Sequence, residues 1–185
     1  LHGGGERSHH GKFFEVHDAR VYNLPSEPVP IYVAAAGPQA AKLAARIGDG
    51  LICAAPSQEA VAAFEAVGGA GKPRYAQMTV CWAKTEDEGV RTALEYWPNG
   101  GLSGQFKTEL PRPANLEEAA QLVTPEVIKK EVVCGPDPQR HIEELRKFAR
   151  AGFDHVYIHQ VGPDQEGFMR FCEREILPNA GALAA

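Results

Sequence analysis

Residues 29–52 read VPIYVAAAGPQAAKLAARIGDGLI, a pattern that predicts a strand, a turn, a helix and the beginning of a second strand. Its apolar, β-branched beginning, Val29–Val33, predicts a strand that is covered on both faces. The small residues of Ala34–Gly37 predict a turn where a ligand can approach the backbone, and Pro38 suits the first turn of a helix. Backbone N–H groups and dipoles at a helix N-terminus favour a phosphate or a carboxylate. The alternative is an Ala-rich turn that binds nothing.

The same alternation of strand and helix continues along the chain. Further apolar runs predict strands at Gly50–Ala54, Tyr75–Ala83 and Phe153–His159, and Tyr75–Ala83 shows no polar face. Strand–helix units in a row predict parallel strands with right-handed crossovers, in an open doubly wound sheet or in part of a (β/α) barrel. A complete barrel needs eight units and about 250 residues, and this chain supplies four. Helices are predicted over residues 39–47, 58–67, 85–96, 116–122, 125–130, 137–151 and 165–176.

The predicted organisation is a short N-terminal linker followed by one α/β unit. Residues 1–28 show little apolar periodicity, and we expect within them two short strands, Lys12–Val16 and Asp18–Tyr22. Residues 29–185 form the α/β unit. Within it, residues 97–115 contain six Gly and Pro residues and are expected to be a long irregular loop. Loops of this length in a compact domain are usually functional.

Composition and charge favour a globular protein that handles a small molecule. The chain has 185 residues, a hydrophobic fraction of 44% and a formal net charge of -5. An acidic chain without a basic run is not expected to bind nucleic acid. No apolar run approaches the roughly 20 residues of a membrane span and no signal-peptide pattern is present, so we expect no membrane association and a cytoplasmic location. Separated cysteines beside apolar residues predict reduced core thiols, at Cys53, Cys81, Cys134 and Cys172.

No metal site is expected from the histidines. His155 and His159 lie four apart, which on a strand is about 13 Å and too far for one coordination shell. His9 and His10 are adjacent in a polar segment, where we expect no ligand role. The chain also lacks the nucleophile elbow, the phosphate-binding loop of nucleotide hydrolases and the dinucleotide fingerprint. Hydrolase, kinase and classical dinucleotide-binding functions therefore have no motif here.

Five segments carry a resemblance to a known family: AAAGPQAAKLAARIGDGLI (34–52), CWA (81–83), CGPDPQ (134–139), AGFDHVYIHQVG (151–162) and DQEGFMRF (164–171). Together they resemble the luciferase-like F420-dependent oxidoreductases, in the branch that contains glucose-6-phosphate dehydrogenases. The resemblance covers residues 1–179. It implies a TIM-like barrel of which this chain is the C-terminal half, strands five to eight.

The resemblance also implies what this half lacks. The family's catalytic His, and the Trp and Glu beside the deazaflavin ring, belong to the N-terminal half, so no catalytic residue is expected here. This chain alone is then expected to be inactive, with Leu1 in the middle of the family pattern. An isolated half exposes an inner barrel edge, so we expect either a remainder of the barrel or self-association, such as a homodimer.

The resemblance implies where ligands bind. It sets the turn after the first strand against the phosphate and ribityl part of coenzyme F420. Ligand sites in such barrels lie at the C-terminal ends of the strands, which nominates Cys53–Ser57, Trp82 and His159–Gly162. Each of these has packing or a plain loop as its alternative. The cofactor-binding candidates are Ala35, Ala36, Gly37, Pro38 and Gln39, and the substrate-binding candidates are Ser57, Trp82, Lys107 and His159.

The substrate is not expected to be glucose 6-phosphate. In the sugar-phosphate branch three basic side chains hold the substrate phosphate, and Lys107 matches the middle one. The first falls at Ser57 and the last at Glu131, neither of which is basic. Their loss should weaken binding of a dianion by several kcal/mol. Lys107 could then bind another anion, or it could be a solvated surface lysine.

Three functions stay open at this point. The first is an F420-dependent oxidoreductase that transfers a hydride between the deazaflavin and a small organic substrate, with the cofactor carrying the chemistry. The second is an FMN-dependent luciferase-like monooxygenase on the same barrel. The third is an inactive half-barrel with a binding or structural role.

Overall fold

The computed structural model describes residues 5–107 and 109–183 of the chain. The strands are β1 (Arg7–His10), β2 (Glu15–Ala19), β3 (Tyr32–Ala34), β4 (Gly50–Cys53), β5 (Arg74–Cys81), β6 (Val133–Cys134) and β7 (His155–Gln160). The α-helices are α1 (Pro38–Ile47), α2 (Gln58–Phe64), α3 (Glu86–Tyr96), α4 (Pro113–Ala120), α5 (Pro125–Glu131), α6 (Pro138–Arg150) and α7 (Gln165–Phe171).

Four parallel strands form the main sheet in the order β3-β4-β5-β7. β7 runs beside β5 over six residue pairs, from Tyr75–His155 to Val80–Gln160. The two-residue strand β6 pairs only with the C-terminal end of β5. Chain order and strand order thus agree along the sheet, as they do in consecutive strands of a barrel.

In the described part of the chain, helices cover one face of this sheet. The main core joins α1, α2, α6 and α7 to side chains from alternate strand positions, including Leu51, Ala76 and Met78. A doubly wound sheet would carry helices on both faces, whereas a barrel carries them on its outside. The structure therefore favours half of a barrel over an open doubly wound sheet. The predicted fold class is confirmed.

The opposite face of the sheet, which we call the inner face, is partly open to solvent. It carries Tyr32 from β3, Tyr75 and Gln77 from β5, and His155 and Tyr157 from β7. Gln77 is exposed, so the expectation that this strand has no polar face is wrong. Inside a closed barrel these positions would face the other strands, which is why their polarity differs from that of the helix side.

The first strand of the sheet is shorter and more exposed than predicted. β3 begins at Tyr32, and Val29 and Ile31 before it are 46% and 43% exposed. The expectation of a strand covered on both faces over Val29–Val33 is therefore wrong. β3 is an edge strand in the described sheet, and three prolines just before it, Pro25, Pro28 and Pro30, disfavour regular pairing there.

Most predicted helices are confirmed within a few residues of their ends. Asp137 caps α6 by accepting a hydrogen bond from the amide of Gln139 at 2.9 Å, and Gly152 follows the helix at φ +95°. Two departures lie within residues 97–115. Short 3-10 turns occupy Pro98–Gly101 and Gly104–Lys107, and α4 begins at Pro113 rather than at Leu116 because proline suits a first turn.

The predicted N-terminal strand pair exists, but with other bounds. β1 and β2 are antiparallel, and the turn between them is closed by a 3.0 Å hydrogen bond from the Gly11 amide to the Phe14 carbonyl. The expected strands Lys12–Val16 and Asp18–Tyr22 are therefore wrong in register, because Gly11 rather than His17 makes the turn. Asp18, at φ +46°, lies in a bulge of β2.

Two further properties of the described chain bear on its class. Over residues 5–107 and 109–183, no helix combines the length and apolarity that a bilayer span requires. The four cysteines are free thiols, three of them buried, as predicted. Burial raises the pKa of Cys81 to about 11 and that of Cys134 to about 12, so neither is a ready nucleophile at neutral pH.

Candidate active site

The candidate site lies where the parallel strands end. Because β3, β4, β5 and β7 are parallel, their C-terminal ends share one edge of the sheet. The turn Ala35–Gln39 follows β3, Ser57 follows β4, Trp82 follows β5, and His159 lies near the end of β7. Eight of the nine predicted site residues thus lie at the edge at which barrel enzymes bind ligands, and Lys107 is not among them.

The turn after β3 opens directly onto the N-terminus of α1. Gly37 is the N-cap residue with an extended backbone, Pro38 occupies the first turn, and the first helical bond runs from the Ala41 amide to the Gly37 carbonyl at 3.0 Å. No side chain caps this end and no acidic residue lies in its first turn. The free amides of a first turn carry the positive end of the helix dipole, so this end is suited to an anion.

Most other helices of the described chain have a side-chain cap at their first turn. Ser, Thr or Asp side chains accept hydrogen bonds from the first turns of α2, α3, α5, α6 and α7, and only α1 and α4 begin without such a cap. Space above α1 is also free, because a Cβ built at Gly37 meets no atom within 4 Å. The open N-terminus therefore has room for a group of ligand size.

The five cofactor candidates differ in what they can offer a ligand. Ala35 is 6% exposed and its amide donates to the Ile52 carbonyl at 2.9 Å, so it holds the turn to β4. Ala36 and Gln39 are exposed, and Gly37 and Pro38 are half-buried. The residues with accessible surface are thus those around the N-cap, with Ala35 beneath them.

Gln160 joins the ends of β5 and β7. Its side-chain Oε1 accepts from the Trp82 amide at 2.8 Å, and its Nε2 donates to the Trp82 carbonyl at 3.0 Å. Gln165 then donates to the carbonyl of Gly162 at 2.6 Å. This network fixes the C-terminal edge of the sheet. Gln160 lies in the nominated range His159–Gly162, but its contact with Trp82 was not predicted from the sequence.

Trp82 packs with the core rather than into open space. Its ring centroid lies 5.9 Å from that of Phe171 in the layer behind the sheet, and its indole nitrogen is buried without a partner among the described atoms. This location favours the packing alternative. A role for Trp82 in binding substrate stays a prediction.

His159 lies against an aromatic residue that the sequence did not single out. Its ring meets Trp97 edge to face at a centroid distance of 5.0 Å, and its Nδ1 is buried without a hydrogen-bond partner among the described atoms. Trp97 follows α3, in the segment expected to be irregular. A Trp at the beginning of a Gly- and Pro-rich loop was the signal that could have identified it.

A cleft of about 690 Å³ has Trp97 in its wall and lies between the segment after β4, the middle of β5, the beginning of β6 and α6. Ala54–Pro56, Thr79 and Trp97 contribute to its wall, but none of the nine predicted site residues does so in the part of the chain that is described. Its charged lining is nearly balanced and consists of Lys129, Lys130, Glu131, Arg140, Glu143, Glu144 and Lys147.

The three positions matched to a phosphate clamp behave differently. Ser57 caps α2 by accepting from the Ala60 amide at 3.2 Å, so its hydroxyl is engaged in the fold. Glu131 ends α5 and lines the cleft. The side chain of Lys107 lies outside the described part of the structure, so its predicted role is untested.

Comparisons with known proteins agree with this geometry. The family model for luciferase-like monooxygenases matches residues 1–155. An F420-dependent glucose-6-phosphate dehydrogenase of Intrasporangium calvum is 28% identical over 184 residues, and that of Microbacterium testaceum is 31% identical over 186. Each match covers 94% of this chain and 55% of the relative. The chain therefore spans about half the length of these curated relatives.

Solved structures of F420-dependent enzymes also superpose on this chain. An F420-dependent secondary alcohol dehydrogenase in complex with an F420-acetone adduct superposes with a TM-score of 0.77 at 25% identity, covering 100% of this chain and 57% of that one. The F420-dependent tetrahydromethanopterin reductase of Methanopyrus kandleri gives 0.66 at 21% identity, covering 95% and 58%. The fold, the order of its strands and the family match lead to one conclusion: the chain belongs to the luciferase-like monooxygenase family.

Proposed function

We propose that this chain is the cofactor-holding half of an F420-dependent oxidoreductase, which transfers a hydride between the deazaflavin and a small organic substrate. The proposal is supported by the relatives, whose names specify F420-dependent dehydrogenases, and by the neighbouring structure that contains an F420-acetone adduct. Its catalytic acid or base would come from the N-terminal half of the barrel.

One observation carries the proposal: the uncapped N-terminus of α1 at the ligand-binding edge of the sheet. Gly37 leaves space above the helix, and the first turn presents free amides with no competing carboxylate. A phosphate group of the cofactor would accept hydrogen bonds there and meet the positive end of the dipole. Bound F420 would supply the hydride chemistry, and this chain would hold and orient it.

The arrangement also supports a substrate other than glucose 6-phosphate. Ser57 and Glu131 stand where the sugar-phosphate branch has basic side chains, and Ser57 is already used as a cap. Most cations near the cleft are paired, Lys129 with Asp87 at 3.5 Å and Arg140 with Glu86 at 2.6 Å. A neutral or singly charged substrate, such as a secondary alcohol, suits this balance better than a dianion.

Titration of the full-length protein with F420 and with FMN tests the cofactor assignment. We expect saturable binding of F420 and much weaker binding of FMN, followed by reduction of F420 with a secondary alcohol but not with glucose 6-phosphate. Tight binding of FMN alone would favour the monooxygenase alternative. Binding of neither would favour a structural role, and efficient turnover of glucose 6-phosphate would contradict the substrate proposal alone.

A further inference from the structure

Three potential metal ligands converge on the N-terminal hairpin, outside the residues of the candidate active site. They are His10 at the end of β1, and Glu15 and His17 on β2. One ligand atom from each lies within 4.8 Å of the others. Two imidazoles and a carboxylate are a donor set used by zinc and other divalent transition metals.

The hairpin geometry brings these side chains together. His10 and Glu15 are directly opposite each other across the two strands, and His17 lies two residues beyond Glu15 on the same side of β2. The bulge that follows is held by Ser8, whose hydroxyl donates to the Asp18 carboxylate at 2.9 Å and accepts from its amide at 3.0 Å. The strand is thus pinned immediately after His17.

The distances already approach those of a coordination shell. The Glu15 carboxylate lies between the imidazoles, with Oε2 3.2 Å from His17 Nε2 and Oε1 3.9 Å from His10 Nδ1. Donor atoms of a tetrahedral zinc site lie about 3.3 Å apart, given metal–ligand lengths of about 2.0–2.1 Å. Small side-chain rotations would therefore bring all three donors onto one ion.

We propose that His10, Glu15 and His17 form a binding site for a divalent transition metal of the zinc class. The three side chains are 68%, 58% and 64% exposed, so the ion enters freely and keeps at least one coordination position open to water. This proposal replaces the prediction that His10 has no ligand role. The predicted hairpin register was wrong, and it did not place His10 opposite Glu15.

His9 provides a matched control. It neighbours His10 in sequence, but successive residues of a strand point to opposite sides, and its ring packs on Phe14 at a centroid distance of 5.0 Å. A His9→Ala variant therefore removes an imidazole from the same hairpin without touching the proposed ligands.

Calorimetric titration of the protein with Zn²⁺ tests the site. We expect one saturable site per chain, weakened at least roughly tenfold by His10→Ala, His17→Ala and Glu15→Gln, and unchanged by His9→Ala. Mg²⁺, which prefers oxygen ligands, should not compete. Because Glu15→Gln keeps the size of the side chain, we expect the hairpin to stay folded, so a loss of affinity in this variant reports the loss of the carboxylate.

Three results would overturn the proposal. They are no saturable binding of Zn²⁺, equal weakening by His9→Ala and His10→Ala, or full competition by Mg²⁺. Equal weakening would indicate nonspecific association with a histidine-containing segment. None of these results would bear on F420 binding, because His10, Glu15 and His17 are not among the residues proposed to hold the cofactor.

Discussion

At the scale of single residues, Arg74 joins the N-terminal ends of β5 and β7. Its guanidinium donates to both carboxylate oxygens of Asp154, at 2.6 and 3.1 Å, and also contacts Glu65. The Arg74 amide donates to the same carboxylate at 2.9 Å, and the Asp154 amide donates back to the Arg74 carbonyl at 3.0 Å. Paired, planar contacts of this kind are stronger than ordinary surface ion pairs.

This contact gives a prediction for stability. The hydrogen bonds from Arg74 hold the pKa of the Asp154 carboxyl below its ordinary value. Asp154→Asn should therefore lower the free energy of unfolding by about 1 kcal/mol at neutral pH, a figure that allows for partial exposure. The difference should be complete above about pH 4 and should shrink as the pH falls through the lowered pKa, where the wild-type carboxylate also becomes neutral.

Urea denaturation between pH 7 and pH 2 measures this difference. Glu166→Gln is a suitable control, because its ion pair with Arg170 lies on an exposed helix face and should change stability by less than about 0.5 kcal/mol. A difference for Asp154→Asn that grows on acidification would contradict the assignment.

At the scale of single elements, the two ends of α1 differ in whether a side chain satisfies their backbone groups. Its N-terminus is left open, whereas its C-terminus is closed by Lys72, whose ammonium donates to the carbonyls of Ala45 at 2.7 Å and Gly48 at 2.9 Å. A cation at this end meets the last carbonyls of the helix and the negative end of its dipole. The free end is therefore the one that faces the proposed cofactor.

The closed end gives a second prediction. Lys72→Met keeps the aliphatic stem but removes both hydrogen bonds, and we expect it to destabilise the protein by about 1 kcal/mol and to speed amide exchange in the last turn of α1. Lys84→Met, on an exposed lysine, serves as the control. Hydrogen exchange that is identical in the two variants would show that Lys72 does not support the helix.

The helices and buried strands could be predicted because their signals are local. The Asp-Pro beginning and the apolar stripe of α6, and the run GLIC of β4, fix their elements without outside contacts. The register of the N-terminal hairpin depends on which residues form the turn and where a strand contains a bulge. The periodicity of the sequence shows neither. For the same reason the pairing of Trp97 with His159, formed between distant segments, was not foreseen.

At the scale of the whole molecule, the inner face is the surface that most needs a partner. Tyr75 stacks on Tyr157 at 5.6 Å and meets Tyr32 edge to face at 4.7 Å, yet Tyr157 is 59% exposed and Tyr32 37%. Aromatic surface of this kind is usually covered. We propose that the N-terminal half of a barrel covers this face, since the chain spans about 55% of each relative, and that a second copy takes its place when that half is absent.

The inner face gives a third prediction, for the 185-residue chain studied without other segments. We expect it to self-associate through this face, because burying the tyrosines removes apolar surface from water. Tyr157→Lys should shift the sedimentation equilibrium toward monomer, whereas Leu122→Lys, at a residue 81% exposed on another surface, should not. A wild-type chain that stays monomeric at high concentration would contradict the prediction.

If the turn after β3 holds the phosphate of the cofactor, a Gly37→Val substitution should lower the affinity for F420. The extended backbone and free space at Gly37 mean that valine fits without disturbing the fold, yet it fills the region above the first turn of α1. Gly181→Val, at another glycine with no neighbour within 4 Å, is the control. Fluorescence titration of the full-length protein should show affinity lowered roughly tenfold or more by Gly37→Val and unchanged by Gly181→Val. Equal affinity in the two variants would contradict the claim.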